Sequence, residues 1–333
     1  MAITGACSFL GRNLIHRLEE SEKIERIVLL DIQAPPFSRL RKTRFYHVDL
    51  TDPRVPPRIS EILCAEQVGV LFHLAFFAGP NPDESWAHEV ESVGTMQLLH
   101  GCRESLVRQV VMASSTLLYG AHPSNPALFV ESHPLKGVRG RRVAFIDDKI
   151  QSEEELARFA EARPEVKAVV LRFAPIIGPR IRTFVTRWLA RKRVPTLLGF
   201  DPIVQFLHEL DAIRALLCTL AFCPKENAGK RFYAFNIVGK GFLPLSKAIR
   251  LAGRRPLPMP EGILRRLIRV GWMLGWSEAP PAFVDYLRYS CLADGSLAER
   301  ELGFVPLFSV KEALLDFGSA LRLEEARLIP LFR

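Results

Sequence analysis

The feature that most constrains this chain is a short loop near its start, Thr4-Gly5-Ala6-Cys7-Ser8-Phe9-Leu10-Gly11. It lies between an apolar run, Met1 to Thr4, and a helical pattern from Gly11 to Glu22. A glycine straight after a strand permits a tight turn that a side chain obstructs, and a glycine at the helix start lets helix and strand pack closely. The helix entry, with Ser8, Phe9 and Leu10 leading into Gly11, offers free N–H groups and a partial positive charge to a pyrophosphate. Asp31 closes the next apolar run, twenty residues past Gly11. There a carboxylate accepts from a ribose 2′-hydroxyl and repels a 2′-phosphate. The set predicts a dinucleotide site that favours NAD over NADP, a preference that Arg39 and Arg41 downstream would soften. Two features count against tight binding. Ser8 stands where a third glycine would let the backbone approach phosphate, although its hydroxyl offers a hydrogen bond in return. Met1 to Thr4 is also short for a central strand, so either the true start lies upstream or a clipped strand loosens the loop.

The rest of the first half alternates apolar runs with helical patterns. Strands are expected at Arg26 to Asp31, Arg44 to Asp49, Val68 to Ala75, Gln109 to Ser115 and Lys167 to Phe173, with helices at Ser85 to Glu104 and Asp147 to Ala162. The strands are apolar at nearly every position, as in a parallel sheet covered on both faces. The fold class is therefore α/β, a Rossmann-type doubly wound parallel sheet. It is followed by a smaller, mostly helical C-terminal substrate lobe, for prolines gather at 256, 258, 260, 280 and 281 and helical segments dominate past Ser246. The expected division is 1–178 for the dinucleotide-binding domain and 179–333 for the lobe, with 231–239 returning to the main sheet.

Six cysteines occur without a CxxC or zinc spacing, so no metal site is expected and the thiols read as free in a reducing compartment. The longest uncharged apolar run, Ala215 to Cys223, is too short for a membrane span, and the chain opens on a structured motif rather than a leader. A cytoplasmic location is the expectation. The net charge of +9 is spread over short clusters, Arg139 to Arg142, Arg191 to Arg193, Arg254-Arg255 and Arg265-Arg266, without interleaved aromatics. That argues against nucleic acid and for solvated faces or an anionic small molecule.

In order along the chain stand Gly5…Gly11, Asp31, Val48-Asp49-Leu50-Thr51-Asp52, His73-Leu74-Ala75, Val93-Gly94-Thr95, Ser114-Ser115-Thr116…Tyr119-Gly120, Leu171-Arg172-Phe173-Ala174-Pro175, Val204 to His208 with Asp211, and Asp294…Leu302-Gly303-Phe304…Pro306. This succession resembles the extended short-chain dehydrogenase/reductases, the NAD-dependent epimerase/dehydratases, over most of the chain. The resemblance implies that Asp49 and Leu50 flank the adenine. It also implies that Leu74, Ala75 and Phe76 line the cofactor, that Phe173 to Ile176, Pro175 included, lie at the nicotinamide end, and that His208 and Asp211 support either the substrate side or only the second lobe. It further implies a catalytic Ser/Thr, a Tyr, and a Lys four residues later that holds the nicotinamide ribose. Ser115 or Thr116 and Lys149 fill the first and last places, but Phe145 occupies the Tyr position and Glu91 an Asn position. A phenylalanine has no proton to exchange.

Three readings follow. The chain is an NAD-dependent epimerase/dehydratase-like oxidoreductase that uses another acid/base (Tyr119, Asp147, Asp148 or Glu91). Or it is a slow, specialised enzyme working through Lys149 and water. Or it is a catalytically impaired NAD-binding regulatory or scaffold protein. The substrate bears a hydroxyl or ketone, with a nucleotide sugar the first expectation and a sterol-like alcohol the second. Family analogy adds a homodimer through two helices. Gly262 to Trp276 reads as an amphipathic helix with Arg265, Arg266 and Arg269 on one side and Ile263, Leu264, Leu267, Val270 and Leu274 on the other. Such a helix either packs its apolar side on the lobe with the basic side in water, the expected arrangement, or lies on a membrane surface.

Overall fold

The apolar runs become strands because each needs both faces covered, and a parallel sheet between helix layers provides that. The computed structural model describes residues 1–36, 40–138, 143–224 and 229–326; Arg39 and the 139–142 basic cluster lie outside them. The strands β1 (Ala2–Thr4), β2 (Ile27–Asp31), β3 (Thr43–His47), β4 (Val70–His73), β5 (Gln109–Ser115) and β6 (Lys167–Phe173) pair in parallel, and β11 (Phe232–Ile237) joins them. Between β6 and β11 lie β7 (Ile176–Ile177), β8 (Arg193–Leu197), β9 (Ile203–Val204) and β10 (Leu207–His208). The order across the seven-stranded sheet is β11-β6-β5-β4-β1-β2-β3. The chain leaves β1 in one direction and resumes at β4 in the other, so the crevice between the ends of β1 and β4 is the topological switch point where ligands of such sheets bind.

Alternate residues of each strand feed opposite layers. Ile3, Leu29, Phe72, Val111 and Leu171 point to the layer of α1 (Phe9–Glu20) and α7 (Glu209–Ala221). Ala2, Val28, Leu30, Leu71, Val110 and Val170 point to the layer of α2 (Val55–Ala65), α4 (Gly94–Gly101) and α5 (Ala144–Ala162). Three residues suffice for β1 because it is paired on both sides, Ile3 facing Leu29 and Phe72.

The second half divides between the two bodies of the fold, since α7 packs on α1 and β6. The lobe is built from α6 (Phe184–Ala190), α8 (Leu245–Leu251), α9 (Glu261–Met273) and α10 (Val310–Glu325) around Ile177, Leu189, Phe206, Ile249, Leu314 and Phe317. Small two-stranded sheets brace it: β8 with β13 (Arg255–Met259), β9 with β12 (Leu243–Pro244), and β7 with β10. Strands with Pro at 195, 256 and 258 pair here because the sheet has only two edges and a proline's missing donor faces away.

The lobe overturns one expectation. Of the apolar side of α9 only Leu264 is buried, while Ile263, Leu267, Val270 and Leu274 are exposed. The side toward the protein carries Arg265, whose guanidinium binds Glu261, Asp285 and the Pro281 carbonyl. An ion-pair staple rather than apolar burial thus sets the rotation of the helix. No described helix is long and apolar enough to cross a membrane.

Candidate active site

At the switch point the backbone itself dictates the residues. Gly5 has φ of +68°, and a Cβ there would fall on the carbonyl of Leu74 at the end of β4. A Cβ on Gly11 would fall on the carbonyl oxygen of Gly5. Both positions admit glycine alone, which is the cradle a pyrophosphate requires. Ser8 has an ordinary φ of −66°, so the turn itself needs no glycine there. Its Oγ caps α1 by accepting from the Gly11 N–H at 3.0 Å and keeps its own proton to donate. Phe9 and Leu10 form the first turn behind it. Asp31, at the end of β2, accepts from the Cys7 N–H at 3.1 Å and from the Gln33 N–H at 3.4 Å, so the carboxylate is anchored beside the loop. Asp49 is turned back on its own loop, accepting from the Thr51 N–H and hydroxyl, while Leu50 is buried against Gly94.

Beyond β4 the chain bends at Leu74, Ala75 and Phe76, and the Phe76 ring lies over Lys149, 4.5 Å from Nζ to the ring centre. The Phe145 ring covers the same ammonium at 4.7 Å. Lys149 itself donates to Glu91 Oε1 at 2.7 Å, and both side chains are buried. Glu91 sits in a π-helical turn, Glu89–Val93, between α3 (Glu84–His88) and α4. Such turns interrupt helices at functional positions. Its Oε1 also accepts from the Phe77 N–H, whereas its Oε2 is buried with no hydrogen-bond partner. Burial raises the Glu91 carboxyl above its ordinary range, and Lys149 pulls it back only in part.

Beneath this pair His73 bridges Thr4 and Thr95 at 2.8 Å each. Thr95 donates its own proton to the Glu91 carbonyl, so His73 carries hydrogen on Nε2 and accepts from Thr4 on Nδ1. Burial, helped by the Lys149 cation, holds the imidazole down to about 3 and keeps it neutral.

At the end of β5, Ser115 accepts from the Leu117 N–H at 3.2 Å and retains a free proton, while Thr116 is buried behind it. Phe173 pairs with Ser115 across the sheet, and Pro175 leads out of β6 into a cleft under the lobe. The neighbouring Ser114 donates to Glu153, which also accepts from Nε and Nη2 of Arg172.

Several candidate acid/base groups are committed elsewhere. The Tyr119 hydroxyl donates to Asn236 and accepts from Arg172, and its ring stacks on Phe129 in the core; burial raises its pKa. Asp147 accepts from the Val143 N–H at the start of α5, and Asp148 pairs with His88. His208 stacks on Phe308 and bonds to Asp316, while Asp211 accepts from the Leu307 and Phe308 N–H groups. Those two residues staple α7 to the C-terminal segment. Among the described residues no group of three or more potential metal ligands occurs, and the six cysteines are free.

Sequence spacing marked Glu91 and Phe145 as separate departures. The structure joins them on one ammonium. The signal available beforehand was complementary: a carboxylate gained at one position and a phenol lost at another, both neighbours of a lysine.

A family model described as the NAD dependent epimerase/dehydratase family matches residues 1–237. The Uncharacterized protein Rv0501 of Mycobacterium tuberculosis is 32% identical over 321 residues, which cover 95% of this chain and 82% of that protein. A UDP-glucose 4-epimerase of Erwinia amylovora is 25% identical over 190 residues, 53% of each chain. Among solved structures, MoeE5 in complex with UDP-glucuronic acid and NAD superposes with a TM-score of 0.71 at 21% identity, over 97% of this chain and 99% of that one. The UDP-glucose 4-epimerase of Thermotoga maritima does so with 0.70 at 18%, over the same shares.

Proposed function

Because this chain belongs to the NAD dependent epimerase/dehydratase family, we propose that it is an NAD-dependent oxidoreductase acting on a carbon that bears a hydroxyl or a ketone. The observation that carries the reading is the glycine cradle at Gly5 and Gly11 beside an anchored Asp31. In this reading the loop and the first turn of α1 hold the pyrophosphate, and Asp31 accepts from the adenosine ribose. Asp49 and Leu50 border the adenine. Leu74, Ala75, Phe76, Phe173 and Pro175 line the way to the nicotinamide end, where Lys149 meets the second ribose. NAD, when bound, supplies the hydride acceptor.

The proton needs a different device from a phenol, since Phe145 has none. Ser115, with its proton free, orients the substrate oxygen. Lys149 passes a proton to Glu91 as it takes one from the substrate hydroxyl, so the net acceptor is the raised, half-unpartnered carboxyl of Glu91. The reverse transfer serves ketone reduction.

A second reading rests on one observation. Lys149 is already neutralised by Glu91 and roofed by two phenyl rings, which suits a protein that holds NAD without turning it over.

The test measures NADH binding by energy transfer from tryptophan, with Gly11→Ala as the binding-dead control, and NADH formation from NAD with a panel of alcohols. Glu91→Gln is expected to keep NADH affinity within about threefold while lowering turnover by at least a hundredfold, in line with loss of a general base. Turnover unchanged in Glu91→Gln removes Glu91 from the proton path. NADH binding without turnover on any alcohol, together with turnover gained in Phe145→Tyr with Glu91→Asn, selects the second reading. Absence of NADH binding refutes both.

A further inference from the structure

A cleft open to solvent leads from Leu117 and Pro175 under the lobe. Its walls are Phe184, Trp188, Phe206, Ile268, Phe283 and Tyr286 with further aliphatic side chains. Phe184 packs edge-on against both Phe145 and Phe283, so the residue at the lost phenol position is continuous with this aromatic wall.

The polar side chains on the wall are almost all spent on the protein. Gln205 exchanges both its amide groups with the Ala293 backbone, Tyr286 donates to the Leu117 carbonyl, and Ser277 closes on Ala279. Among the described residues the one cation there, Arg191, faces Glu278 and the Trp276 carbonyl, and Glu278 is also bound by Arg187. A nucleoside diphosphate brings two negative charges; among the described residues the wall offers it no unpaired cation, only the neutral Trp188 and Tyr289 donors, and burying two charges without a counter-charge is strongly unfavourable. An apolar body gains from the same walls.

We propose that the substrate is an apolar alcohol or ketone, a lipid with a ring or chain body, and not a nucleotide sugar. This rests on the oxidoreductase reading, which places the reacting carbon at the Ser115 and Pro175 end.

The test uses full-length protein loaded with NADH and three probes: dehydroergosterol and a conjugated-polyene fatty alcohol, both fluorescent, and UDP-glucose. At least one lipid is expected to bind saturably with energy transfer from Trp188, and UDP-glucose is expected neither to bind nor to compete. Ile268→Lys, on the half-buried side of α9, and Phe283→Arg are expected to weaken the lipid at least tenfold and NADH less than twofold. Two readouts overturn the proposal: UDP-glucose binding as tightly as the lipids, or failure of both lipids on protein that binds NADH. Lipid binding without NADH binding would instead remove the redox reading and leave the lipid a ligand.

A different observation carries a second inference. The outward side of α9 and the turn after it expose Ile263, Leu267, Val270 and Leu274 by about half, Met273 by 79% and Trp276 by 73%. Arg266 and Arg269 are exposed along the same outward arc, and among the described ion pairs neither has a carboxylate partner. Apolar anchors, a tryptophan and free guanidiniums on one helix side match the depth profile of an anionic bilayer surface, in a chain of net charge +9.

We infer that α9 docks on anionic membrane. Ile268, from the inner side of the same helix, lines the cleft, so docking sets the cleft beside the lipid phase. The protein is expected to float with phosphatidylcholine–phosphatidylserine vesicles but not with phosphatidylcholine alone, with a blue shift of Trp276 emission. Leu267→Glu with Met273→Glu, both at exposed positions, and Arg266→Gln with Arg269→Gln are each expected to cut binding about tenfold or more. Flotation that ignores phosphatidylserine or these substitutions overturns the inference. So does a wild-type dimer that Leu267→Glu converts to monomer, which would make a second copy the occupant.

Discussion

Replacing Lys149 by Met keeps the volume and the apolar contact with Phe76 and Phe145 but leaves Glu91 buried without a cation. An ionised carboxylate cannot stay there, so Glu91 takes up a proton, as buried glutamates do with pKa values of about 8–9. Holding a carboxyl of ordinary value 4.5 protonated at pH 7 costs about 1.36 kcal/mol for each of 2.5 pH units, or about 3.4 kcal/mol. That agrees with the roughly 3–5 kcal/mol for breaking a buried pair.

The sign follows from proton uptake. A group whose folded pKa is raised binds more protons in the folded state, so its contribution is fully present at low pH and is lost as pH rises through the folded value. The gap between wild type and variant should therefore narrow on acidification, by about 1.4 kcal/mol per pH unit. The window runs down from the variant's folded value, and the narrowing stops where Glu91 of the wild type itself protonates. Urea unfolding followed by tryptophan fluorescence at several pH values measures it. The double variant Lys149→Met with Glu91→Leu removes both charges and is expected to recover wild-type stability at pH 7 to within about 1.5 kcal/mol. A gap that is the same at both ends of the window, or a single variant as stable as wild type, would refute the account of Glu91 as a desolvated carboxyl held by one lysine.

Three further outcomes are expected. Asp31→Ser frees the Cys7 N–H and removes a negative charge beside the loop; NADH affinity should fall by about tenfold and NADPH affinity should rise, read by fluorescence titration. Arg172→Met leaves the buried Glu153 with Ser114 alone. It should cost about 3–5 kcal/mol in a urea melt, against less than about 1 kcal/mol for Arg158→Ala at the exposed pair with Glu155. His73, held down to about 3, should show no NMR titration of its ring between pH 5 and 8. Its folded value is depressed, so the stability it contributes is present above about 6.5 and is lost as pH falls toward 3.

The order of elements, the parallel sheet and the cofactor loop were legible in the chain because they rest on local rules. Continuous apolar runs, a glycine after a strand and an acid twenty residues on each state their conformation without reference to distant residues. The loss of the phenol was equally legible, since Phe145 and Lys149 share one turn of helix. Ser8 stood out because a glycine there lets the backbone approach phosphate; its φ of −66° shows that the turn itself asks for no glycine.

What the tertiary structure alone decided are contacts between remote segments. Glu91 and Lys149 lie fifty-eight residues apart, and only their meeting in a dry site turns two departures into one device. The aromatic cleft is assembled from segments between Leu117 and Cys291, and polar groups such as Gln205 and Tyr286 are spent on remote backbone partners that no spacing rule connects. The α9 sequence fixed two sides of a helix but not which one faces inward. Arg265, with Glu261 and Asp285, turned the apolar side to solvent. A moment along a helix measures asymmetry, whereas the direction of burial depends on what the rest of the fold offers in return.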